Sequence, residues 1–341
     1  MKQYVERLMA NESLTELEME SAAALLFSDE ITDTEIAAFI TSLKMKGETV
    51  EEIVGIVNAV RKQTLSFSEP ISGCMDNCGT GGDRSQSFNI SSTSAFVLAG
   101  AGIPVAKHGN RSISSKTGSA DVLEELGIKL NVTPEQNMQQ LEEVGITFLF
   151  AQHVQPKMGR IMRVRRELKL PTIFNLIGPL TNPISLETQV LGIYRSDLLV
   201  TFAESLRKLG RKRAVVLNGA GGMDEASLQG DNQLVILQNG KIEETSLTPD
   251  EVNLPYYTNE KIRGGDAKEN AAILLNVLKG KKGAYRDTIL LNAGIGIYTA
   301  GRAESIVEGV NLAKESIDSG AALHKLSQLV ETSKEFEGAG I

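Results

Sequence analysis

The sequence predicts an α/β protein in which a small N-terminal helical domain precedes a larger domain. The larger domain is expected to contain a central mixed, mostly parallel sheet flanked by helices. Helix-capping signals repeat through the first 65 residues, short apolar segments then alternate with helical patterns rich in small residues, and glycine-rich turns follow several of those segments. We therefore place the helical domain at residues 1–66 and the α/β domain at 67–341, and expect part of the segment 165–190 to cross back and join the first domain.

The N-terminal helices are announced by three capping boxes. Ser-x-x-Glu occurs at 13–16, and Thr-x-x-Glu occurs at 32–35 and 49–52, each before an apolar pattern of helical period. Gly47 is expected to end the second of these helices. The inward faces are predicted to carry Leu17, Ala22, Ala24, Leu25, Ile36, Phe39, Ile40, Leu43, Ile53, Ile56 and Val57. A packing or subunit-contact role suits such a module.

The remainder of the chain has the alternation that is typical of α/β domains. Strands are predicted at 102–106, 146–150, 214–217 and 288–292. Helices are predicted after Thr133-Pro134 and after Thr248-Pro249, since proline fits the first helical turn. Residues 171–183, rich in proline, glycine and asparagine, interrupt the pattern and predict a connection that crosses between the domains. A site between domains would suit this arrangement.

Composition excludes several classes of protein. The chain has 35 basic and 43 acidic residues, a net charge of −8, and no long basic run, which argues against a nucleic-acid or anionic-membrane binder. The N-terminus lacks the apolar core of a signal peptide, and no apolar run has membrane-spanning length. We expect a cytoplasmic enzyme. Cys74 and Cys78 are one residue too far apart for Cys-x-x-Cys, and we interpret them as reduced structural thiols rather than a metal or redox pair.

A glycine-rich run, Gly-Thr-Gly-Gly-Asp at 79–83, follows a strand-like segment and precedes a helix rich in small residues. Backbone amides in such a turn and at the start of such a helix can face an anion, and Asn89, Ser91 and Ser92 can hydrogen-bond phosphate oxygens. Arg84 stands where a dinucleotide fingerprint would have its third glycine, and no P-loop motif occurs. An ordinary turn remains the alternative for this run taken alone.

A second run, 107–119, strengthens the case for phosphate. It places Lys107, Arg111 and Lys116 within one short segment, and a highly anionic ligand requires cations as well as backbone donors. His108 lies in the same run, but nothing nearby in sequence supplies an orienting carboxylate. We therefore give His108 a positioning or hydrogen-bonding role and no proton transfer.

Acidic and basic candidates lie further along the chain. Asp224 and Glu225 follow a glycine-rich turn at the end of a strand, where adjacent carboxylates can hold Mg²⁺ together with waters and substrate phosphates. A solvated acidic pair is the alternative. Four arginines precede the crossing segment, at 160, 163, 165 and 166. Most should be surface charges or ion-pair partners; one could bind a substrate carboxylate, and their spacing does not say which.

Taken in order, these motifs closely resemble the anthranilate phosphoribosyltransferase family, which has a nucleoside-phosphorylase-like fold. The resemblance covers essentially the whole chain. It is carried by residues 78–83, 88–91, 107–111, 118–124, 172–183, 224–225 and 264–267.

The resemblance implies transfer of phosphoribose from phosphoribosyl pyrophosphate to the amino nitrogen of anthranilate, with release of pyrophosphate, in tryptophan biosynthesis. It implies Mg²⁺ as cofactor and a homodimer formed through the helical domain. The implied donor-binding residues are Gly79, Gly82, Asp83, Ser87, Asn89, Ile90, Ser91, Ser92, Lys107, His108, Gly109, Asn110, Arg111, Ser112, Ile113, Ser114, Ser115 and Ser119. Those for Mg²⁺ are Ser91, Asp224 and Glu225, and those for anthranilate are Gly79, Asn110 and Arg165. Arg165 is thus the arginine that the resemblance selects for the substrate carboxylate.

The chain departs from the family pattern at a few positions. Ser87 and Ser92 replace threonine and keep the hydroxyl, and Lys169 replaces glycine. Gln155 and Asn218 replace histidines near the expected acceptor entrance and metal loop, where we expect them to affect acceptor affinity and metal response rather than reaction class. The alternatives are a pyrimidine nucleoside phosphorylase, a nucleic-acid-binding relative without transferase activity, and a non-catalytic interaction protein.

Overall fold

Four helices form the N-terminal part of the computed structural model, which describes residues 1–67, 71–111 and 117–338. They are α1 (Lys2–Met9), α2 (Glu16–Leu25), α3 (Asp33–Lys46) and α4 (Val50–Arg61). Thr32 and Thr49 cap α3 and α4 in reciprocal capping boxes, and Gly47 ends α3 with φ +88°, as predicted. Helix α1 was not predicted, because it begins without a side-chain cap.

The predicted capping box at 13–16 is wrong by two residues. Leu14 is 1% exposed, and its amide donates to the buried carboxylate of Glu52 at 3.0 Å, so the chain enters the helix only after Thr15. The buried face of this helix also differs from the prediction: Leu17 is 76% exposed and Ala24 is exposed, although both were predicted to face inward. Leu25 is half-buried. The other predicted inward positions, Ala22 and those on α3 and α4, are buried.

Seven strands form one sheet with the order β3-β2-β1-β4-β5-β6-β7. They are β1 (Met75–Asp76), β2 (Val105–Gly109), β3 (Ile146–Phe150), β4 (Thr188–Gly192), β5 (Arg213–Asn218), β6 (Asn232–Gln238) and β7 (Lys241–Leu247). The first five in this order are parallel, and β5, β6 and β7 pair antiparallel. The predicted fold class is confirmed. Because β1 pairs with β2 on one side and β4 on the other, the strand order reverses at β1, and the carboxyl ends of β1 and β4 lie where open α/β sheets commonly bind ligands.

The remaining helices flank this sheet. They are α5 (Ile90–Gly100), α6 (Ser119–Glu125), α7 (Pro134–Glu143), α8 (Ala151–Val154), α9 (Gly159–Leu168), α10 (Leu199–Lys208), α11 (Ala267–Leu278), α12 (Ala284–Thr299), α13 (Ile306–Asp318) and α14 (Ala321–Gly338). Thr133 caps α7 as predicted. The helix expected after Thr248-Pro249 is only a 3₁₀ turn, Asp250–Val252, which ends at Asn253 in the left-handed region.

Two strand predictions need correction. The segment 102–106 is a strand only at its last two residues, because Gly102 lies in a turn with φ +81° and β2 begins at Val105. The segment 288–292 lies inside α12, which is buried along most of its length. A helix that is apolar on every side loses the amphipathic period that distinguishes it from a buried strand. The predictions at 146–150 and 214–217 coincide with β3 and lie within β5.

The helices α1–α4 share a core with one face of the sheet. This core includes side chains from α9, α10, β4 and β5. The segment predicted to cross between domains is largely buried and forms two 3₁₀ turns, Ile173–Asn175 and Gly178–Thr181, whose apolar residues join the same core. The proposed division at residue 66 stays a prediction. In the part of the chain that the structure describes, no helix is long and apolar enough to cross a membrane.

Candidate functional site

The glycine-rich loop at 79–83 leaves the carboxyl end of β1. Thr80 N–H donates to the carbonyl of Gly192 at the end of β4 (2.9 Å), and Gly81 N–H donates to Asp224 Oδ2 (2.5 Å). Gly81 and Gly82 have φ of +71° and +86°, in the region that favours glycine. The predicted glycine loop therefore lies at the point where the strand order reverses.

The acidic pair Asp224 and Glu225 follows β5 and contacts both neighbouring segments. Glu225 Oε1 accepts from the amide of Ser91 in the first turn of α5 (3.1 Å), while Asp224 holds the glycine loop. The structure thus brings together the loop after β1, the start of α5 and the loop after β5. Among the described residues, the expected metal-binding set, Ser91, Asp224 and Glu225, forms one cluster with the glycine loop.

Three glycines leave room for the backbone and side chain of this acidic pair. A Cβ at Gly79 would lie 2.4 Å from Asp224 Oδ2, one at Gly192 would lie 1.6 Å from Asp224 O, and one at Gly219 would lie 1.9 Å from Glu225 O. Sequence reasoning identified Gly79 but missed Gly192 and Gly219. Gly192 ends β4 and Gly219 follows β5, but a glycine at the end of a strand does not reveal in sequence that it contacts the acidic pair.

The site contains buried carboxyl groups that no ion pair within the described residues neutralises. Burial raises the pKa of Glu225 to about 7, against the opposing effects of Lys107 and of hydrogen bonds from Ser91. Burial, with the charges of Asp83 and Glu225, raises the pKa of Asp224 well above its usual range. Asp83 Oδ2 is buried and has no hydrogen-bond partner among the described residues. These carboxylates would be stabilised by a cation.

The residues present fit Mg²⁺ shared with a ligand. No group of three or more His, Cys, Asp or Glu side chains in the described ranges could hold a metal by itself. Mg²⁺ commonly keeps several waters and binds through one or two carboxylates together with substrate phosphates. Asp224 and Glu225, with an amide-rich loop beside them, match that donor set.

The run that begins on β2 supplies the cationic side of the site. Lys107 is 1% exposed, and its charge favours the ionised form of Glu225. His108 Nδ1 lies 3.0 Å from the carbonyl of Gly178, and burial lowers the pKa of this histidine. A neutral imidazole fits the predicted positioning role. Ser119 Oγ donates to Asn110 O (3.2 Å), which ties the start of α6 to this run.

Arg111 is already paired in this structure. Its guanidinium binds Asp121 at 2.5 Å and Glu124 at 2.7 Å on α6, and it lies over the ring of Phe150. Contact with a donor would require exchange of these partners. Of the remaining predicted donor-binding residues, Ser112, Ile113, Ser114 and Ser115 lie outside the described residues, as does Lys116.

The structure distinguishes the four arginines before the crossing segment. Arg160 and Arg163 both bind Asp33, at 2.7 and 2.8 Å, and Arg166 is exposed. Arg165 is half-buried, and its Nε has no hydrogen-bond partner among the residues described. Burial lowers the pKa of Arg165 to about 10. A buried guanidinium edge without an acceptor is suited to an anionic ligand.

The other expected acceptor contacts are not joined to Arg165 directly. Arg165 Nη1 lies 2.9 Å from Met162 Sδ, and its guanidinium is 5.8 Å from the Phe174 ring centroid. Asn110 Oδ1 accepts from Arg111 N (2.8 Å) and Gln152 Nε2 (3.2 Å), which leaves its Nδ2 for another partner. No hydrogen bond or ion pair within the described ranges links Arg165 to Asn110 or Gly79.

The departures from the family pattern have structural partners. Gln155 Nε2 donates to Thr181 at both O (3.1 Å) and Oγ1 (2.9 Å), which fixes the crossing segment. Asn218 Nδ2 donates to the carbonyl of Ile193 (2.7 Å), next to the loop after β4. Lys169 caps α9 with φ +53°, a left-handed conformation that explains why glycine suits this position.

Comparison with known proteins agrees with this architecture. Residues 2–64 match the helical bundle domain of a glycosyl transferase family, and residues 72–323 match its a/b domain. The chain is 58% identical over 335 residues to the anthranilate phosphoribosyltransferase of Bacillus mycoides (strain KBAB4), with 98% of each chain covered. The crystal structure of the anthranilate phosphoribosyltransferase from Thermus thermophilus superposes with a TM-score of 0.93 at 39% identity, covering 97% of this chain and 99% of that one.

A more distant relative was solved with ligands. The Saccharomyces cerevisiae anthranilate phosphoribosyltransferase in complex with PRPP and Mg has a TM-score of 0.90 at 25% identity, with 98% of each chain covered. The matches of both domains show that the protein is a member of a glycosyl transferase family. Within that class, the chain belongs to the anthranilate phosphoribosyltransferase family.

Proposed function

We propose that the protein transfers the phosphoribosyl group of phosphoribosyl pyrophosphate to the amino nitrogen of anthranilate and releases pyrophosphate, a step of tryptophan biosynthesis. The observation that carries this proposal is the cluster in which Asp224 holds the glycine loop and Glu225 holds the first turn of α5. The cluster joins backbone donors for phosphate to carboxylates for a metal. The complex of the yeast relative with PRPP and Mg supports the same pairing of ligands.

The donor half of the site is suited to a magnesium-bound pyrophosphate. In the proposal, the donor is contacted by Gly79, Gly82 and Asp83 of the loop, by Ser87 and residues 89–92 at the start of α5, and by the run 107–115 with Ser119. Ser92 Oγ is buried without a partner among the described residues, which leaves its hydroxyl for a phosphate oxygen. Mg²⁺ held by Ser91, Asp224 and Glu225 would neutralise charge that accumulates on the departing pyrophosphate.

The acceptor half has to orient an amine rather than activate it. An aryl amine is neutral near pH 7 and carries a usable lone pair, so no general base is needed before it attacks. In the proposal Arg165 binds the anthranilate carboxylate, and Gly79 and Asn110 contact the same substrate. Alignment of the amine with the breaking bond would then supply much of the rate enhancement.

We also propose a homodimer formed through the helical domain. Met9, Leu17 and Met45 on α1, α2 and α3 are 74%, 76% and 84% exposed, and in the proposal these apolar side chains lie in the contact. Light scattering after size exclusion should give a dimer. Replacing Leu17 and Met45 together by aspartate should give a folded monomer, and a folded dimer from that double variant would contradict the proposed interface.

We also propose that the protein is located in the cytoplasm. Cys74 and Cys78 are buried free thiols, and burial raises the pKa of both, so neither is poised for oxidation. Free thiols are the usual state of cysteine in a reducing compartment. Fractionation of cells that express the untagged chain tests the location.

Loss of anthranilate fluorescence tests the activity. Purified protein with phosphoribosyl pyrophosphate and Mg²⁺ should consume anthranilate, and omission of either the donor or the metal should stop the reaction. The same preparation with thymidine and inorganic phosphate should release no thymine. Thymidine phosphorolysis without anthranilate consumption would instead support a nucleoside phosphorylase, and a folded protein without either activity would contradict the proposal.

A further inference from the structure

Asn89 occupies the N-cap of α5 but does not cap it. Asparagine is among the strongest N-cap residues, because its side-chain oxygen usually accepts from an amide of the first helical turn. No such hydrogen bond forms here. The amide of Ser91 in this turn donates instead to Glu225, in the loop after β5. The side chain of Asn89 must therefore be held by something else.

That partner is Asn270, on α11. Asn270 Nδ2 donates to Asn89 Oδ1 at 2.9 Å, and Asn270 is only 3% exposed. On its other side, Asn270 Oδ1 accepts from the amide of Gly265 at 2.8 Å. The two asparagines and one glycine form a short chain of hydrogen bonds from residue 265 to the start of α5.

The backbone amide of Gly265 fixes the orientation of both side-chain amides. A backbone N–H can only donate, so Gly265 requires the oxygen of the Asn270 amide to face it. The Asn270 nitrogen then faces Asn89 and requires the Asn89 oxygen. Consequently the free end of the Asn89 amide is its nitrogen, a donor, as an anionic ligand requires. The orientation of both side-chain amides thus follows from one main-chain group.

Gly264 and Gly265, where these hydrogen bonds begin, lie against the residues that precede α5. Phe88 N–H donates to the carbonyl of Ile262 (3.1 Å), and Gly264 N–H donates to the carbonyl of Gln86 (2.9 Å). A Cβ at Gly264 would lie 2.8 Å from the Cα of Phe88 and 2.6 Å from Asn270 Oδ1. The turn can therefore approach the residues before α5 only without a side chain at this position.

We propose that Asn270 is a positioning residue for donor binding, which holds Asn89 away from its helix and presents Asn89 Nδ2 to the phosphoribosyl donor. This inference rests on the proposed function, because it needs the donor to bind at the start of α5. Asn270 itself lies behind Asn89 and acts through it.

The variant Asn270→Asp should reverse the hydrogen bond between residues 270 and 89 while keeping nearly the same side-chain shape. Aspartate can still accept from Gly265, but it offers Asn89 only acceptors, so the Asn89 amide should turn and direct its oxygen towards the donor. Affinity for phosphoribosyl pyrophosphate with Mg²⁺, measured by titration calorimetry without anthranilate, should fall at least about tenfold, the range expected when a hydrogen bond to a charged group is lost. Unchanged affinity in this variant would overturn the inference.

A double-mutant cycle separates positioning from general destabilisation. If Asn270 acts through Asn89, then Asn270→Ala, which adds no charge, should add less than about twofold to the loss caused by Asn89→Ala. Penalties that multiply would show that Asn270 acts on the fold instead, and would overturn the inference. Asn137→Asp is the matched control: Asn137, on α7, is also buried and donates to Thr147 Oγ1 (2.9 Å), and its replacement should lower the melting temperature without changing donor affinity.

The experiment also includes the Asn270→Ala variant and a titration of the wild-type protein. If Asn270→Asp does not fold, Asn270→Ala serves in its place, because it frees Asn89 to cap α5; wild-type donor affinity in that variant would overturn the inference. The wild-type protein is titrated first. Absence of donor binding by the wild type would contradict the proposed function itself, whereas wild-type binding with equal binding by the variants would contradict only the role of Asn270.

Discussion

Replacing Gly192 by alanine should displace Asp224 without touching any substrate. The new Cβ would lie 1.6 Å from Asp224 O and 2.4 Å from Asp224 C. An ordinary non-bonded contact is about 3.5 Å, so the Asp224 backbone or the end of β4 must move by roughly 2 Å. The φ of Gly192 is outside the left-handed region, so alanine adds steric overlap rather than backbone strain.

The expected loss of activity follows from how little displacement a catalytic site tolerates. Catalytic groups must be held within about 0.5 Å of their working positions, and a displacement of about 1 Å can lower a rate by roughly 100-fold. We therefore expect kcat/KM for the donor to fall by at least about 100-fold, near 2.7 kcal/mol of transition-state stabilisation. The concentration of Mg²⁺ needed for half-maximal rate should rise, because Asp224 is proposed to hold the metal.

Initial rates of anthranilate consumption across a magnesium titration measure this effect. Gly159→Ala is the matched control, because nothing lies within 4 Å of a Cβ at Gly159, and its rates should equal those of the wild type. Circular dichroism establishes that both variants are folded. A folded Gly192→Ala variant with activity within threefold of wild type would refute the argument that Asp224 must occupy its present position.

Three further predictions follow from charges and burial. Because burial raises the pKa of Glu225 from 4.5 to about 7, the metal-free fold keeps a proton that the unfolded chain releases, so its stability should decline as pH rises from about 4.5 to about 7 and level off above that. Mg²⁺ with pyrophosphate should accordingly raise the melting temperature more at pH 8 than at pH 6, and an equal shift at both would contradict this. Arg165→Lys should raise KM for anthranilate by about tenfold or more and leave KM for the donor unchanged; with aniline, which lacks the carboxylate, wild type and variant should react alike. Glu52→Gln removes the charge that pairs with Lys46 at 2.8 Å in a site 0–4% exposed, and urea titration should show a loss of about 3–5 kcal/mol of unfolding free energy, whereas a loss below 1 kcal/mol would contradict the buried pair.

The sequence predicted those features that depend on local chemistry. Capping boxes identified α3 and α4, a threonine-proline pair identified α7, and an isolated apolar run identified β3. Features decided by tertiary contacts were missed. The segment 288–292 resembles a strand only because α12 is buried on nearly all sides, and the start of α2 is set by the buried amide of Leu14.

The same distinction applies to the site. The runs at 79–83 and 107–111 were recognisable because phosphate binding requires glycines, amides and cations close together in sequence. Gly192 and Gly219 were not, since their role is to leave space for the acidic pair, which only the folded chain reveals. The link between Asn89 and Asn270 spans 181 positions and has no local signal.

The stoichiometry of the reaction tests the central claim most directly. With phosphoribosyl pyrophosphate, anthranilate and Mg²⁺ together, the wild-type protein should release one pyrophosphate for each anthranilate consumed, as expected for a displacement at the donor carbon. Omitting anthranilate should suppress pyrophosphate release, and replacing both Asp224 and Glu225 by alanine should abolish it at limiting magnesium while the protein stays folded. Pyrophosphate release without anthranilate consumption, or undiminished turnover by the double variant at limiting magnesium, would contradict the account.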